Sequence, residues 1–549
     1  MNPQEAKTHA MLKAISPLYW AGPDGIKLML NGERFDISNH RFLIEPLNSY
    51  ERNRVHKFSA QTSKTLEEII TVLHQLIYGY LPQGAMYVFP TTKTVRRFSQ
   101  ARFSPLIKDN PEISKYIPDT DNIELKRVGK ANLYFAGGKV GQVIEGLKKS
   151  STQLKSEPVD KLIFDERDEI EDEMIDLAES RLYHSKLKHK ATIGTPTIPD
   201  FGIDAAYQES DQRVWMIKCQ HCNTDTCLEM EFPQCIHVIS KKKAIRACIK
   251  CGKEIFPRNG RWVAQYPERS EDCVGRWISQ LNLSDEYVNV KDVLDAYNDP
   301  PHGNLAEVMN SMLGIAYIKA ENRLRPIDLQ AIMTHDPMRT AHPGPTAMGV
   351  DVGKGLHVVI LDKPMEKSIR LVKAIRLTSF EDLHDLARDF NVRCAVIDML
   401  PETRKVMEFR EAESFEVYGW QHEQGLKGII NWDSILGTIR GNRTFVLDGT
   451  HDLVVLPGRF SIPRKSTEID EFIKQCCNMA KIVFTDDETG IREYRYRRLG
   501  ADHFRHSLGY AFLAAGRIGV YNTQEQKKRL RDSYAEEDTA PTGSWRGNL

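Results

Sequence analysis

Between residues 54 and 200 short apolar runs alternate with stretches of helical periodicity, and this alternation narrows the fold more than any other feature of the chain. VHKFSAQ is followed by TLEEIITVLHQLIYGYL, then AMYVFP, then TKTVRRFSQARFSPLI, and LYFAGG, KLIFDE and HKATIGT add three more apolar runs. Strands that alternate with helices build a largely parallel sheet covered on both faces. A second region of the same kind opens at TAMGVDVGKGLHVVILD, residues 346–362. With 549 residues the chain is too long for one compact core, so two to four domains are expected.

The expected organisation is an N-terminal region over 1–50, a first α/β domain over 51–334, a linker over 335–347, a second α/β domain over 348–520 and a disordered polar tail over 521–549. The linker is placed on HDPMRTAHPGPTA, which is rich in Pro, Gly and small residues, and 280–340 reads as mainly helical. Lys+Arg and Asp+Glu both number 75, so net charge gives no sign of a polyanionic partner, and a nucleic-acid surface would need local segregation of charge. No run approaches the roughly 20 apolar residues of a membrane span. The opening MNPQEAKTHAMLKAISPLYW lacks the basic-then-apolar layout of a signal peptide. A soluble chain of a reducing compartment, with no membrane partner, is expected.

SAQTSKT, residues 59–65, lies between the strand VHKF and the helix TLEEIITVL. A tight turn into a helix N-terminus aims backbone N–H groups at an anion. Ser59, Ala60, Gln61, Thr62 and Ser63 would form that cradle, Lys64 can reach the β- and γ-phosphates of ATP, and the Thr65 hydroxyl can ligate Mg²⁺. The usual G-x-x-x-x-G-K-[ST] spacing is not met, because Ser63 stands where the second glycine belongs and position 58 is Phe. Taken alone, the segment reads more simply as a surface Ser-Lys-Thr at a helix start.

KLIFDERDEI, residues 161–170, changes that balance. Leu162–Phe164 should be a central strand, which puts Asp165 at its C-terminal end, where open α/β sheets form their ligand clefts. Asp165 would hold the Mg²⁺ and Glu166 would orient and deprotonate the attacking water. Asp168, Glu169, Glu171 and Asp172 are read as acids that favour the next helix's N-terminus. ATIGTPT, residues 191–197, supplies another strand ending in small hydroxyl residues, placed to sense the γ-phosphate.

These three segments, with VFPTTKTVRRFSQARFSPLI, LYFAGG and the run AYQESDQRVWMIKCQHC, resemble the large subunit of a tailed-bacteriophage terminase of the lambda-like group, over roughly residues 40 to 520. The resemblance implies a P-loop (RecA-like, ASCE) ATPase domain that drives double-stranded DNA into a procapsid and a nuclease that cuts concatemers. It implies a small terminase subunit, the portal protein and further copies of the chain in a ring as partners, in the host cytoplasm. By the same resemblance Lys64 and Thr65 match the phosphate-binding pair, Asp165 and Glu166 the metal-holding and catalytic acids, and Thr195 the coupling segment. Ser63 departs from the family's glycine and puts tight nucleotide binding in question. Arg96, Arg97 and Arg102 are candidates for an arginine finger or DNA contact, or simply solvate a helix face.

Seven of the ten cysteines lie between Cys219 and Cys273. Cys219-x-x-Cys222 and Cys248-x-x-Cys251, separated by the 25 residues 223–247, have the spacing of a zinc ribbon, here expected as an insertion over 214–260. Four thiolates close a tetrahedral Zn²⁺ site of structural type. His221 and His237 are read as bystanders, and Cys227, Cys235 and Cys273 as buried or spare thiols.

A second chemistry is expected in the later domain. Asp351 lies inside an apolar strand, where a lone charge is costly unless it meets a cation. RCAVIDM ends a second buried strand at Asp398, and Asp502 starts the amphipathic helix of ADHFRHSLGYAFLAAGRIG. An Asp on a first strand, an Asp at the end of a later parallel strand and an acid on a final helix form the ribonuclease-H-like nuclease arrangement, in which Asp351, Asp398 and Asp502 would hold two Mg²⁺ or Mn²⁺ ions. Asp502 could equally be a helix cap and Asp398 a turn residue. Asp433, Asp448 and Asp470 are alternative carboxylates, and His503 and His506 are secondary candidates. KIVFTDDETGIREYRYRR reads as a hairpin whose Arg492, Arg495, Arg497 and Arg498 interleave with Tyr494 and Tyr496, suited to phosphate contacts or to plain solvation. Two other functions fit the same residues: a helicase-nuclease of recombination or repair, and a zinc-stabilised DNA-binding scaffold with an inactive nucleotide site.

Overall fold

The computed structural model describes residues 3–118, 122–137, 158–319, 322–423, 430–485 and 492–520. The chain divides into two compact units, Met1–Ile318 and Lys319–Leu549. The tail expected over 521–549 and the DDETG turn of the hairpin lie outside the described residues.

In the first unit the strands are β1 (Asn53–Phe58), β2 (Ala85–Phe89), β3 (Leu125–Val128), β4 (Ala131–Gly137), β5 (Lys161–Asp165), β6 (His189–Gly194), β7 (Arg213–Lys218), β8 (Asp225–Cys227), β9 (Gly260–Ala264) and β10 (Val274–Ile278). They form a ten-stranded sheet in the order β8-β7-β10-β1-β6-β5-β2-β4-β3, with β9 paired to β7. From β10 to β4 every pairing is parallel. The C-terminal ends of β1, β5 and β6 therefore share one edge, with β6 between the other two. Helix α1 (Lys64–Ile77) follows β1 and buries Ile69, Ile70, Leu73 and Leu76, a helical stripe read directly from the sequence. Its end is fixed by Gly79 at φ +75°, with Tyr80 N–H donating to the Gln75 carbonyl at 2.8 Å and Gly79 N–H to that of Leu76.

The cysteine-bearing excursion is narrower than its expected 214–260. Arg213–Lys218 and Gly260–Ala264 are strands of the main sheet, paired antiparallel, so the excursion grows from the sheet edge between them. Its own hairpin pairs Ile236–Ser240 with Lys243–Arg246. The region 280–340 is less helical than its periodicity suggests: one nine-residue helix, Val290–Asn298, stands among shorter turns and irregular chain.

The second unit begins earlier than the Pro- and Gly-rich stretch implies. Leu324 and Leu329 are buried in its core, and Thr334 N–H donates to Ile462 O at 2.9 Å. The stretch 335–347 is exposed over 335–337 and at Thr340, Ala341 and Pro343, but it is anchored at His342, which is buried with Nε2 3.0 Å from Asp362 Oδ2.

The sheet of this unit comprises β11 (Thr346–Val352), β12 (Leu356–Met365), β13 (Ser368–Leu377), β14 (Val392–Asp398), β15 (Glu416–His422), β16 (Ile430–Asp433), β17 (Thr438–Gly441) and β18 (Phe460–Ser461), in the order β16-β17-β15-β14-β11-β12-β13-β18. β11, β12 and β13 are antiparallel neighbours, while β11, β14 and β15 run parallel. Antiparallel strands three-two-one continued by parallel strands four and five form the ribonuclease-H-like sheet. Beyond them come a two-stranded pair, β19 (Met479–Thr485) and β20 (Arg492–Arg498), and helix α2 (His503–Ala515), whose Phe504, Leu508, Ala511 and Ala515 enter the core.

Candidate active sites

The turn from β1 into α1 is pinned from both sides. Ser59 N–H donates to Ile278 O at 3.0 Å and Ala60 N–H to Ser311 O at 2.8 Å, while Gln280 Nε2 donates to Ala60 O at 3.1 Å. The amides able to meet an anion are thus those from Gln61 onward, at the N-terminus of α1. Gln61 and Ser63 sit at φ +61° and +65°, the left-handed region that favours glycine. Ser63 therefore follows the backbone path of the missing glycine, against a strain of about 1 kcal/mol or more. The loop geometry does not require the glycine signature, which explains why the motif was faint in the sequence.

Lys64, Thr65, Asp165, Glu166 and Thr195 converge across the shared strand edge. Lys64 Nζ donates to Thr195 Oγ1 at 2.9 Å and lies 3.6 Å from Glu166 Oε1. Asp165 Oδ2 accepts from Thr65 Oγ1 at 3.1 Å and from the buried Tyr87 hydroxyl at 2.9 Å. Burial first, and then the charge of Glu166, push the Asp165 carboxyl up to about 6, against the pull of Lys64 and the two hydroxyls. Its Oδ1 is buried without a hydrogen-bond partner. A buried carboxylate oxygen left open in this way fits a divalent cation, with Thr65 as the neighbouring oxygen ligand. Glu166 adopts φ +56°, and the Thr195 N–H approaches its Oε2 at 3.4 Å.

Asp168 corrects the reading of the acidic run. It is not a solvated helix-starting acid but a buried anchor, accepting from Thr197 N at 2.8 Å, Thr197 Oγ1 at 2.5 Å and Ile203 N at 2.6 Å. Gly202 follows Phe201 at φ +56°, and a Cβ there would meet Asp168 Oδ1 at 2.0 Å. Arg96, Arg97 and Arg102 lie on the helical segment after β2, and all three are exposed.

The four ribbon cysteines come together. Cys219 Sγ is 3.7 Å from Cys251 Sγ, and Cys222 Sγ is 3.5 Å from Cys248 Sγ. Four thiolates around Zn²⁺ at about 2.3 Å stand about 3.8 Å apart, so the cluster is compatible with zinc. Each knuckle closes on a left-handed residue, Asn223 at φ +60° and Gly252 at +68°. His221 and His237 are exposed and outside the cluster, while Cys227 and Cys235 are buried.

In the second unit the parallel register pairs Val350 with Ile397, so Asp351 and Asp398 leave neighbouring strands at the same edge. Asp398 accepts from Tyr510 Oη at 3.2 Å, and burial, with the nearby Asp351 charge, raises its carboxyl above the ordinary range. Asp502 precedes α2 but turns toward His506 Nε2 at 3.3 Å and Arg498 Nε at 3.4 Å. Burial opposes its charge, yet these partners hold it below the ordinary range. The residue facing Asp351 from α2 is instead His503, whose Nδ1 lies 2.7 Å from Asp351 Oδ2. The tightest ligand set around Asp351 contains His357 and His503, with one ligand atom from each within 4.8 Å of the others; Asp398 and Asp502 lie outside it. His357 was missed in the sequence. Its signal was the GKG turn after Asp351, which closes a hairpin and puts His357 directly across from it.

The alternative carboxylates have other partners. Asp448 binds Lys481 Nζ and Tyr496 Oη, each at 2.9 Å, Asp433 caps the turn at Ile435 and Leu436, and Asp470 lies in a first helical turn. On β20, Tyr494 and Arg495 are exposed.

The sequence of residues 34–268 matches the family of the phage terminase large subunit gpA, ATPase domain. Over this span the chain is similar to the ATPase domain of a phage terminase large subunit. Its fold is similar to that of the HK97 bacteriophage large terminase, with a TM-score of 0.50 at 9% identity over 90% of this chain and 99% of that one. The large terminase of a thermophilic bacteriophage (TM-score 0.32, 11% identity, 89% and 100% covered) and the ATPase domain of the Thermus phage P74-26 large terminase (TM-score 0.33, 10% identity, 54% and 99% covered) also match. No curated protein matches the sequence. The converging residues around Lys64 and Asp165 lie within the span that matches this ATPase domain. Among the described residues no helix is long and apolar enough to cross a membrane.

Proposed function

We propose that this chain is a terminase large subunit that couples ATP hydrolysis in its first unit to translocation of double-stranded DNA into a procapsid, and that its second unit cleaves concatemeric DNA at a divalent-metal centre. The observation that carries the nuclease half is the pairing of Asp351 and Asp398 at one edge of a ribonuclease-H-like sheet, where the charge of one carboxylate bears on the other. In the first unit the amides from Gln61 to Thr65 and the Lys64 ammonium grip the triphosphate, and Thr65 with Asp165 holds its cation. Glu166 then turns from Lys64 to orient water and accept its proton, and Thr195, bonded to Lys64 and Glu166 alike, registers the loss of the γ-phosphate.

In the second unit Asp351 and Asp398 hold the cations, with Asp502 as the outer acid of α2. A cation pair in such a centre activates water and stabilises the leaving oxygen of the phosphodiester. The Cys219, Cys222, Cys248 and Cys251 cluster holds Zn²⁺ and stiffens the edge of the ATPase sheet. The exposed basic face of β20 takes the DNA backbone. The small subunit, the portal protein and further copies in a ring complete the machine in the host cytoplasm. Digestion of supercoiled plasmid with Mg²⁺ or Mn²⁺ tests the nuclease half: wild type should nick and linearise it, and Asp351→Ala and Asp398→Ala should not. Cleavage at wild-type rate by folded Asp351→Ala would remove this assignment.

A further inference from the structure

The nuclease reading of Asp351 leaves a neighbouring imidazole without a task. His357 stands directly across the β11–β12 pair from Asp351, so the two side chains share a face of the sheet. Its ring stacks on that of His503, with 4.5 Å between centroids and 13° between planes, and meets Phe504 edge-on at 5.0 Å. His357 is 8% exposed, and its Nδ1 is buried with no hydrogen-bond partner. Buried polar atoms are nearly always satisfied, and an orphaned one carries a penalty of about 1–3 kcal/mol. A carboxylate can only accept, so in the His503–Asp351 contact His503 is the donor and serves to orient Asp351. His357 has no such duty. One ligand atom of His357 lies within 4.8 Å of one each from Asp351 and His503, so its ring stands within reach of a shared cation.

We propose that His357 supplies a nitrogen ligand to the divalent cation held at Asp351, with His503 as the positioning residue behind that carboxylate, so that the centre takes a first-row transition cation more tightly than Mg²⁺. The inference rests on the nuclease reading of Asp351 and deepens it by naming the ligand set and the cation class. Mg²⁺ favours oxygen ligands and retained water, whereas imidazole favours the transition series.

Mn²⁺ is the probe, added to the full chain with its cysteine cluster zinc-loaded and no nucleotide present. Free Mn²⁺ is followed by electron paramagnetic resonance, and the bound ion by nitrogen modulation of its electron spin echo. Wild type should show nitrogen modulation, and Mg²⁺ should compete only at about tenfold excess or more. His357→Gln, and His357→Phe, which keeps a ring to stack on His503, should both lose the modulation and weaken Mn²⁺ binding by about tenfold or more. Wild type without nitrogen modulation, or folded variants that retain it, overturns the proposal. Asp351→Asn separates the two claims. If Mn²⁺ binding is indifferent to Asp351→Asn, the nuclease reading itself fails. If Asp351→Asn abolishes binding while both His357 variants bind as wild type does, only the nitrogen ligand is refuted.

Discussion

Replacing Asp168 with Ala tests whether the acidic run after β5 is a solvated loop or an internal brace. Among the donors to this carboxylate are Ile203 N–H at 2.6 Å, Thr197 N–H at 2.8 Å and the Thr197 hydroxyl at 2.5 Å. Ile203 is fully buried and Thr197 half-buried, so water can rescue the latter's donors better than the former's. One buried N–H left unsatisfied is worth about 1–3 kcal/mol, and two partly rescued donors about 0.5–1 kcal/mol each, giving a loss of about 3 kcal/mol. Urea unfolding of the full chain, read on the transition of the first unit, measures it. Hydrogen exchange over residues 195–210 should accelerate in parallel, because this side chain ties Thr197 to Ile203 in the first turn of the following helix. Asp168→Asn, which keeps one acceptor, should lose less. A change below about 0.5 kcal/mol in the alanine variant is what an exposed acid gives, and it would refute the brace.

Ser63→Gly should relieve the left-handed strain at φ +65° and leave nucleotide affinity equal or higher, measured by binding of a fluorescent ATP analogue. Gly314→Ala should do the opposite: its φ is +63°, and a Cβ would lie 3.3 Å from Ser59 N and 3.1 Å from Ile278 O, so calorimetry should show a loss of about 1–3 kcal/mol with weaker nucleotide binding. Chelation, or Cys248→Ser, should remove about one zinc per chain by elemental analysis and loosen residues 219–259 in hydrogen exchange. In the second unit burial works against the Asp362 charge, but His342 and Arg370 hold the carboxyl below its ordinary range. A lowered folded-state value means that its stabilisation is complete above the unfolded value of about 3.9 and is lost as pH falls below it, so acid unfolding of this unit should flatten in Asp362→Asn.

The parallel sheet of the first unit was legible because its strands are buried on both faces and read as continuous apolar runs, with Asp165 at the foot of one of them. The ribbon was legible because four thiolates need fixed spacing. Ser63 hid the phosphate loop, since backbone conformation rather than residue type makes the cradle. The boundary near Ile318 was misplaced because Pro and Gly mark turns in packed chain as readily as in linkers; only burial of Leu324 and Leu329 separates the cases. Asp168 and His357 escaped for a shared reason: their meaning lies in partners far along the chain or across a hairpin, and neither is visible from neighbouring residues.

The account stands on two chemically separate centres, and turnover of ATP and cleavage of plasmid measured on the same preparations test this most directly. Glu166→Ala should abolish ATP hydrolysis and leave cleavage measurable, and Asp351→Ala should abolish cleavage and leave hydrolysis intact. Loss of both activities in each folded variant would contradict it.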